Sequence, residues 1–289
     1  MTLMLRTLVL VLLILPTNAL GQDSNSQTNA ALTEYIALDT ARLRGSYQTT
    51  LMELYEPAGD FGGYASPVFD LIQDFAPEEI SEAALQAIYR ETLIAALDEK
   101  VAMANDFWAS PLGERLRWSE RLAAAETSER GYARSGREIA ERTSAERLAT
   151  LQALDVAILD TQIATEVANV LLGLVEATAV QVSAATGEPT EWAESPEDIR
   201  RWIGGQYRDD LFRRMLYRLN RLEDVELNEY LNLARSENGR VWADARRSAH
   251  LAVAHHIVEI LLPEQSSRLA DELWEYRREK DEEDESGES

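Results

Sequence analysis

The chain has 289 residues, with 51 acidic against 28 basic side chains and a formal charge of −23, a balance that repels phosphate backbones and excludes nucleic acid as a partner. It contains no cysteine, so disulfides and thiol chemistry are excluded, while a hydrophobic fraction of 45% supplies a real core and excludes wholesale disorder. With only 14 glycines and 8 prolines, few alternating β-branched runs, and a bias to alanine, leucine, glutamate and arginine, the expected fold is an all-α multi-helix bundle.

Met1–Gly21 reads as a cleaved signal peptide: Arg6 is the positive n-region, Leu8–Leu15 the apolar h-region, and Pro16–Gly21 an exit with small residues. Cleavage is expected after Gly21, with Ala19 the close alternative. The apolar run falls short of the ~20 residues of a membrane span, and no cysteine follows it, which excludes a lipoprotein signal. Export to the periplasm or beyond is the expectation, with residues 22–279 forming the helical domain.

Gln22–Asn29 is polar and expected to be mobile. Leu32–Tyr55 then predicts one helix, with Leu32, Ile36, Leu43, Tyr47, Leu51 and Leu54 on its apolar side. Pro57–Pro67 reads as a glycine-rich connector without the spacing or lysine of a phosphate loop. Short helices are expected from Ser66 and from Pro77.

The stretch around 97–125 predicts the first of two related helical hairpins. Leu97, Val101, Ala104 and Trp108 recur at steps of four, three and four, the spacing of a helix with one buried face. Ser110 is then placed to cap a second helix, with Pro111 at its first position and Gly113 at its third. A glycine inside a helix costs about 0.8–1 kcal/mol relative to alanine, so its presence suggests a close backbone approach at the corner.

Thr127–Arg142, with Gly131 and Gly136, is expected to be a soft region between halves. Thr143 to Glu146 has a capping-box pattern and opens the longest helical stretch, a central helix over about 144–185. Its apolar circumference invites a transmembrane reading, but Asp155, Asp160, Glu166 and Glu176 interrupt it, and acids cost ~2.5–3.5 kcal/mol each at a membrane centre. A helix buried by its neighbours is the expectation, leaving no membrane span after signal cleavage.

Ser195–Pro196 starts a helix whose stripe is Leu211, Met215, Leu219 and Leu222. Arg214, Arg218 and Arg221 line up along it. They read either as partners of acids within the fold, with Glu223, Asp224 or Glu226 the nearest, or as contacts for an anionic lipid head group or carboxylate ligand. The second hairpin follows at about 222–262, with Leu227, Leu231 and Ala234 on the stripe, Ser236 as the cap and Gly239 three residues on. Its second helix continues Trp242, Ala245, Ala249, Val253, His256 and Ile260, and Pro263 is expected to interrupt it. Residues 280–289 form an acidic tail that cannot bury enough apolar surface to order itself.

The three histidines, His250, His255 and His256, lie on this last helix. His255 and Glu259 are four apart, yet no second cluster completes a metal site, and His256 on the apolar stripe reads as a hydrogen-bonded core residue. The six tryptophans, 108, 118, 192, 202, 242 and 274, read as core and corner residues rather than a carbohydrate platform.

FWASPLGERL, preceded by APEEISEAALQAIYRE, resembles the bacterial domain-of-unknown-function family 2059, whose motif is an aromatic pair followed by Ser-Pro-x-Gly. Phe107, Trp108, Ser110, Pro111 and Gly113 carry the likeness. Ser236 and Gly239 carry a looser second copy, in which Glu237 stands for the proline and Leu233 and Ala234 for the aromatics. The resemblance covers about residues 70–262 and implies an exported helical protein without a known activity, so no catalytic residue follows from it.

Neither a nucleophile elbow nor a Walker loop nor a paired-glycine fingerprint occurs. No catalytic residue, cofactor or metal is therefore assigned. The expected function is a non-catalytic binding or interaction protein of the cell envelope, with an unknown protein or small-molecule partner. The alternatives are a periplasmic carrier of a lipid or small anionic ligand, with its pocket between the hairpins and the central helix, and an enzyme of unknown reaction.

Overall fold

A computed structural model describes residues 19–287 apart from 60, 62–65, 76, 127–128 and 188. The h-region and most of the signal peptide lie outside the described residues. Among those described, every regular element is helical: α1 (Ala19–Thr40), α2 (Leu43–Ala58), α3 (Ser66–Asp74), α4 (Glu82–Leu97), α5 (Val101–Ala109), α6 (Pro111–Glu126), α7 (Glu129–Arg142), α8 (Ala145–Ile158), α9 (Asp160–Thr186), α10 (Pro196–Trp202), α11 (Arg208–Leu219), α12 (Asp224–Arg235) and α13 (Glu237–Gly287). Short 3-10 turns at Glu78–Ile80 and Asp98–Lys100 precede α4 and α5, and a π turn, Ile203–Tyr207, joins α10 to α11. The chain is an all-α multi-helix bundle.

α9 runs through its interior, packed by α2, α8, α11 and α13; α4 lies on the other side of α13, α7 on α11, α5 on α1 and α12 on α8. By length and composition α9 is apolar enough to cross a membrane, yet Leu171, Leu172, Leu174 and Val175 along it are each at most 1% exposed within the protein. A buried polar knot fixes its register. Tyr55 of α2 donates toward Gln265 of α13 (3.3 Å) and shares a hydrogen bond with Thr178 of α9 (2.7 Å), while the Gln265 amide donates to Thr178 (2.8 Å) and to the Leu174 carbonyl (3.2 Å).

Both Ser-x-x-Gly corners have the same geometry. Ser110 and Ser236 are extended (φ −69°, ψ 162° and φ −66°, ψ 166°), and each hydroxyl accepts the N–H of the glycine three residues on, at 3.1 Å in both. A Cβ on Gly113 would stand 2.3 Å from the Phe107 carbonyl oxygen, and one on Gly239 would stand 2.2 Å from that of Leu233. The glycines let the outgoing helix leave against the backbone of the incoming one. The corners also meet: the rings of Phe107 and Tyr230 stack at 6.2 Å and Lys100 donates to Asn238 at 3.4 Å.

Several boundaries differ from the sequence expectations. The polar segment 22–29 forms leading turns of α1 rather than a mobile lead. The helix predicted over Leu32–Tyr55 breaks at Ala41–Arg42, which carry no glycine or proline to announce it. The single helix predicted over 144–185 is two, because the Asp155 carboxylate accepts from both the N–H (3.0 Å) and the hydroxyl (2.7 Å) of Thr161, competing with the helical ladder. Leu159 at the break is left-handed, φ 59°.

Ser144, not Thr143, caps α8, accepting from Arg147 N–H at 3.2 Å; the Thr143 hydroxyl is spent on the Ile139 carbonyl at 2.7 Å. The region around Gly136 is helical, and the glycine serves close packing, since a Cβ there would lie 2.0 Å from the Arg213 carbonyl oxygen of α11. α13 continues through Pro263 instead of being interrupted there, although an interior proline removes one backbone bond and sets its ring against the carbonyl four residues earlier, and its backbone is helical to Gly287.

Candidate functional site

The site begins from two chain breaks. α1 stops one residue after Asp39, and α9 starts on Asp160. An acid in the last turn of a helix faces the negative end of the macrodipole and is unfavourable there, whereas an acid in the first turn is favourable. Asp39 therefore needs an external cation, which Arg246 of α13 supplies. Its Nε reaches Oδ2 of Asp39 at 3.1 Å and its Nη2 reaches Oδ1 at 3.2 Å, while both Nη atoms donate to Oδ1 of Asp160 at 3.0 Å.

The chain of charges continues through α11 and α6. Arg218 donates to the other Asp160 oxygen and, at 3.1 Å, to Glu120. The Ser119 hydroxyl donates to the Arg218 carbonyl, which holds α6 against α11 at this level. Around Asp39, the Tyr89 hydroxyl donates to Oδ2 and His250 Nε2 lies 3.5 Å away. Tyr47 in turn stands 3.1 Å from His250 Nδ1 and donates to its carbonyl at 3.2 Å. The side chains of Asp39, Asp160, Arg246 and His250 keep only 10–12% exposure.

Burial sets the pKa of each acid against its neighbours. Burial alone would raise the Asp39 carboxyl, but the Arg246 guanidinium and His250 outweigh it and hold it well below the ordinary carboxylate range. Asp160 is likewise lowered, with Arg218 and Arg246 overcoming burial. Glu120 goes the other way. Burial raises it, Arg218 opposes, and the charges of Asp160 and Asp39 leave it above its usual value. Burial also keeps the hydroxyls of Tyr35, Tyr47, Tyr89 and Tyr230 neutral by raising them.

On one side the charges rest on an aromatic box, in which Tyr35 stacks on Trp108 at 3.7 Å and Trp242 approaches both, at 5.3 and 5.6 Å. On the other side they open on a cavity of about 250 Å³. Arg42, Arg214, Arg218 and Arg246 give it positive charge, and Tyr47, Thr50 and Tyr207 give it hydroxyls. Leu43, Ile163, Val167 and Leu211 form its apolar wall. Tyr207 ends the π turn, and its hydroxyl lies 3.2 Å from that of Thr50; π turns of this kind are frequent at functional sites.

Of the three arginines singled out in the sequence, Arg214 and Arg218 line this cavity, and Arg214 also pairs with Glu53 of α2 at 4.0 Å. Arg221 does not: its guanidinium lies over the Tyr217 ring at 5.5 Å, and its carbonyl accepts from Arg115 at 3.2 Å. The acids that meet Arg218 are Glu120 and Asp160 rather than the nearby Glu223, Asp224 or Glu226. Asp224 pairs with Arg147, Glu226 with Arg115 at 2.9 Å, and the Glu223 N–H is taken by Glu226 at 2.7 Å. Trp108 belongs to the aromatic box and Phe107 packs edge-on against it at 4.8 Å, while Ser110, Pro111, Gly113, Ser236 and Gly239 form the two corners. The histidine of the site is His250; His256, half-buried, is bonded to the Glu79 carbonyl at 3.1 Å, and His255 is exposed. Trp118 and Trp274, 37% and 61% exposed, sit under Arg115 and Arg278 rather than in the core.

Asp39, Glu120, Asp160, Arg246 and His250 carry no local sequence signal, since Asp39 and Arg246 are 207 positions apart. Among the described residues, no three His, Asp or Glu side chains group as a metal site. No family model, no curated protein and no solved structure matches the chain.

Proposed function

We propose that the chain is an exported, non-catalytic binding protein of a bacterial cell envelope, and that its ligand is a small molecule held in the cavity above the Asp39–Arg246–Asp160–Arg218–Glu120 chain. The observation that carries this reading is the cavity itself. Five side chains that are costly to bury converge from five helices around an open space of about 250 Å³, where a purely structural interior would gain as much from apolar side chains.

The leader pattern in residues 1–21 supports export, and the corner motif supports kinship with the uncharacterised exported family that it resembles. The non-catalytic reading is supported by Asp39 and Asp160: a general base works best with a pKa near the operating pH, whereas both are held low in guanidinium forks. Glu120 is raised instead, and its proton is assigned to ligand binding rather than to catalysis. The volume favours a small anion over a lipid, because it lies below the about 300–1,000 Å³ typical of pockets for drug-sized ligands.

Native mass spectrometry of the protein purified from a periplasmic extract tests the reading. A stoichiometric small mass that is lost from the Arg214→Gln variant is the expected result. A stable protein complex without any small mass would instead make the chain an interaction module.

A further inference from the structure

The polar wall of the cavity is asymmetric. Asp39 meets Arg246 through two nitrogens, and Asp160 meets both Arg246 and Arg218. Glu120 has one guanidinium nitrogen at 3.1 Å, and its side chain, 28% exposed, lines the cavity. We propose that the ligand is a small organic carboxylate and that Glu120 takes up a proton as this anion enters. The inference rests on the binding-protein reading above and adds to it the ligand's charge and a coupled proton.

The geometry supplies both ends of such a ligand. Arg214 and Arg218 lie one turn apart on α11, with Arg42 on the α1–α2 turn also lining the space. Guanidinium forks match carboxylates in shape as well as charge, and Thr50 and Tyr207 offer hydroxyl donors. The apolar wall of Leu43, Ile163, Val167 and Leu211 suits a short hydrocarbon portion. A carboxylate at Arg218 would share that guanidinium with Glu120, and two carboxylates in one low-dielectric site do not both remain ionised without cost.

Which acid yields follows from the surroundings. The ionisable groups around Glu120 are Tyr35 and Asp39 of α1, Asp160 of α9, Arg218 of α11, Tyr230 of α12 and Arg246 of α13, and His250 of α13 lines the adjoining cavity. The tyrosines stay neutral, and Asp39 and Asp160 are held ionised; Glu120 alone of the three acids is already displaced upward. An anion beside it raises it further, so binding takes up a proton and affinity rises as pH falls, by at most about tenfold per pH unit.

Calorimetry on the full mature chain with hexanoate, and with hexanesulfonate as an analogue ionised at every pH used, tests this from about pH 8 down to about pH 5. Both anions are expected to bind, with the sulfonate tightening toward acid pH and taking up close to one proton when measured in buffers of different ionisation heat. Glu120→Gln, which mimics the protonated acid, should bind the sulfonate at the wild-type acid-limit affinity, with a flat pH profile and no proton uptake. Circular dichroism verifies that this variant is folded. Persistence of the pH dependence in Glu120→Gln would overturn the proton coupling and leave the binding-protein reading in place. Binding of hexylamine in preference to both anions would overturn the carboxylate assignment and the proton coupling with it, and leave the binding-protein reading in place. Failure of all three probes, together with absence of any co-purifying small mass, would overturn the binding-protein reading as well.

Discussion

Gly239 lies so close beneath Leu233 that a methyl group on it would stand 2.2 Å from the Leu233 carbonyl oxygen, and Gly113 stands in the same relation to Phe107 at 2.3 Å. Backbone cannot yield as a side-chain tip can, so Gly113→Ala and Gly239→Ala are each expected to destabilise by about 2 kcal/mol or more. Gly173 is the control. Nothing lies within 4 Å of a Cβ built there, and Gly173→Ala should stabilise α9 by about 0.8–1 kcal/mol. Urea midpoints for the three variants check the contrast. Equal effects at all three positions would refute the close-contact account of the corners.

Arg246 and Arg247 are neighbours with opposite expectations. Arg246→Met leaves Asp39, a side chain only 10% exposed, without its guanidinium, and leaves Asp160 with Arg218 alone, and should cost about 3–5 kcal/mol. Arg247 pairs with Glu166 at the surface, with side chains 41% and 28% exposed, so Arg247→Gln should cost no more than about 1 kcal/mol. Chemical denaturation in low and high salt separates the two, because only the surface pair is appreciably screened.

The acids of the site impose a pH signature on stability. Asp39 and Asp160 are lowered in the folded state, so their contribution is present above the unfolded value of ~3.9 and is lost as pH falls through their folded values. Glu120 is raised, so stability declines as pH rises from ~4.3 through its folded value. Glu120→Gln should lessen that decline, leaving the share of Asp155, which burial also raises, and leave the acid limb unchanged. Urea midpoints as a function of pH report both limbs.

The knot at Gln265 is a separate determinant of stability. Gln265→Ala leaves the buried Tyr55 and Thr178 hydroxyls and the Leu174 carbonyl with fewer partners, and a loss of about 1–3 kcal/mol is expected. Tyr55→Phe removes one hydroxyl, while Thr178 and Gln265 remain bonded to each other, so its cost should be nearer ~1 kcal/mol. A thermal or urea series on the two variants gives the order.

The helices were legible because burial imposes a period on the sequence. Leu97, Ala104 and Trp108 in the first hairpin stretch and the Leu227, Leu231 and Ala234 face of α12 are buried where apolar spacing put them. The corners were legible because the same cost, a glycine three residues after a serine cap, recurs in both copies, where a lone helical glycine such as Gly173 has nothing close to it. The breaks at Ala41–Arg42 and Leu159 were not legible, since neither contains glycine or proline and the second depends on how the Asp155 side chain competes with the helical ladder. Arg218 stood out in the sequence as part of a row, but its partners lie on other helices, and no local pattern encodes a meeting of Asp39, Glu120, Asp160 and Arg246. His256 took the attention that belonged to His250. Apolar spacing cannot tell which flank of a buried stripe will face a cluster of charges.

α13 is pinned at three heights by three unlike devices: the glycine seat at 239, the guanidinium fork at 246 and the amide knot at 265. These span roughly 39 Å of one helix at 1.5 Å per residue. A rod fastened to α12, α1, α2 and α9 along that length neither slides nor turns without undoing all three fastenings together. Through Arg246 and His250 α13 is thus the fixed wall of the cavity, and α2, the π turn and α11 stand opposite it as the facing one.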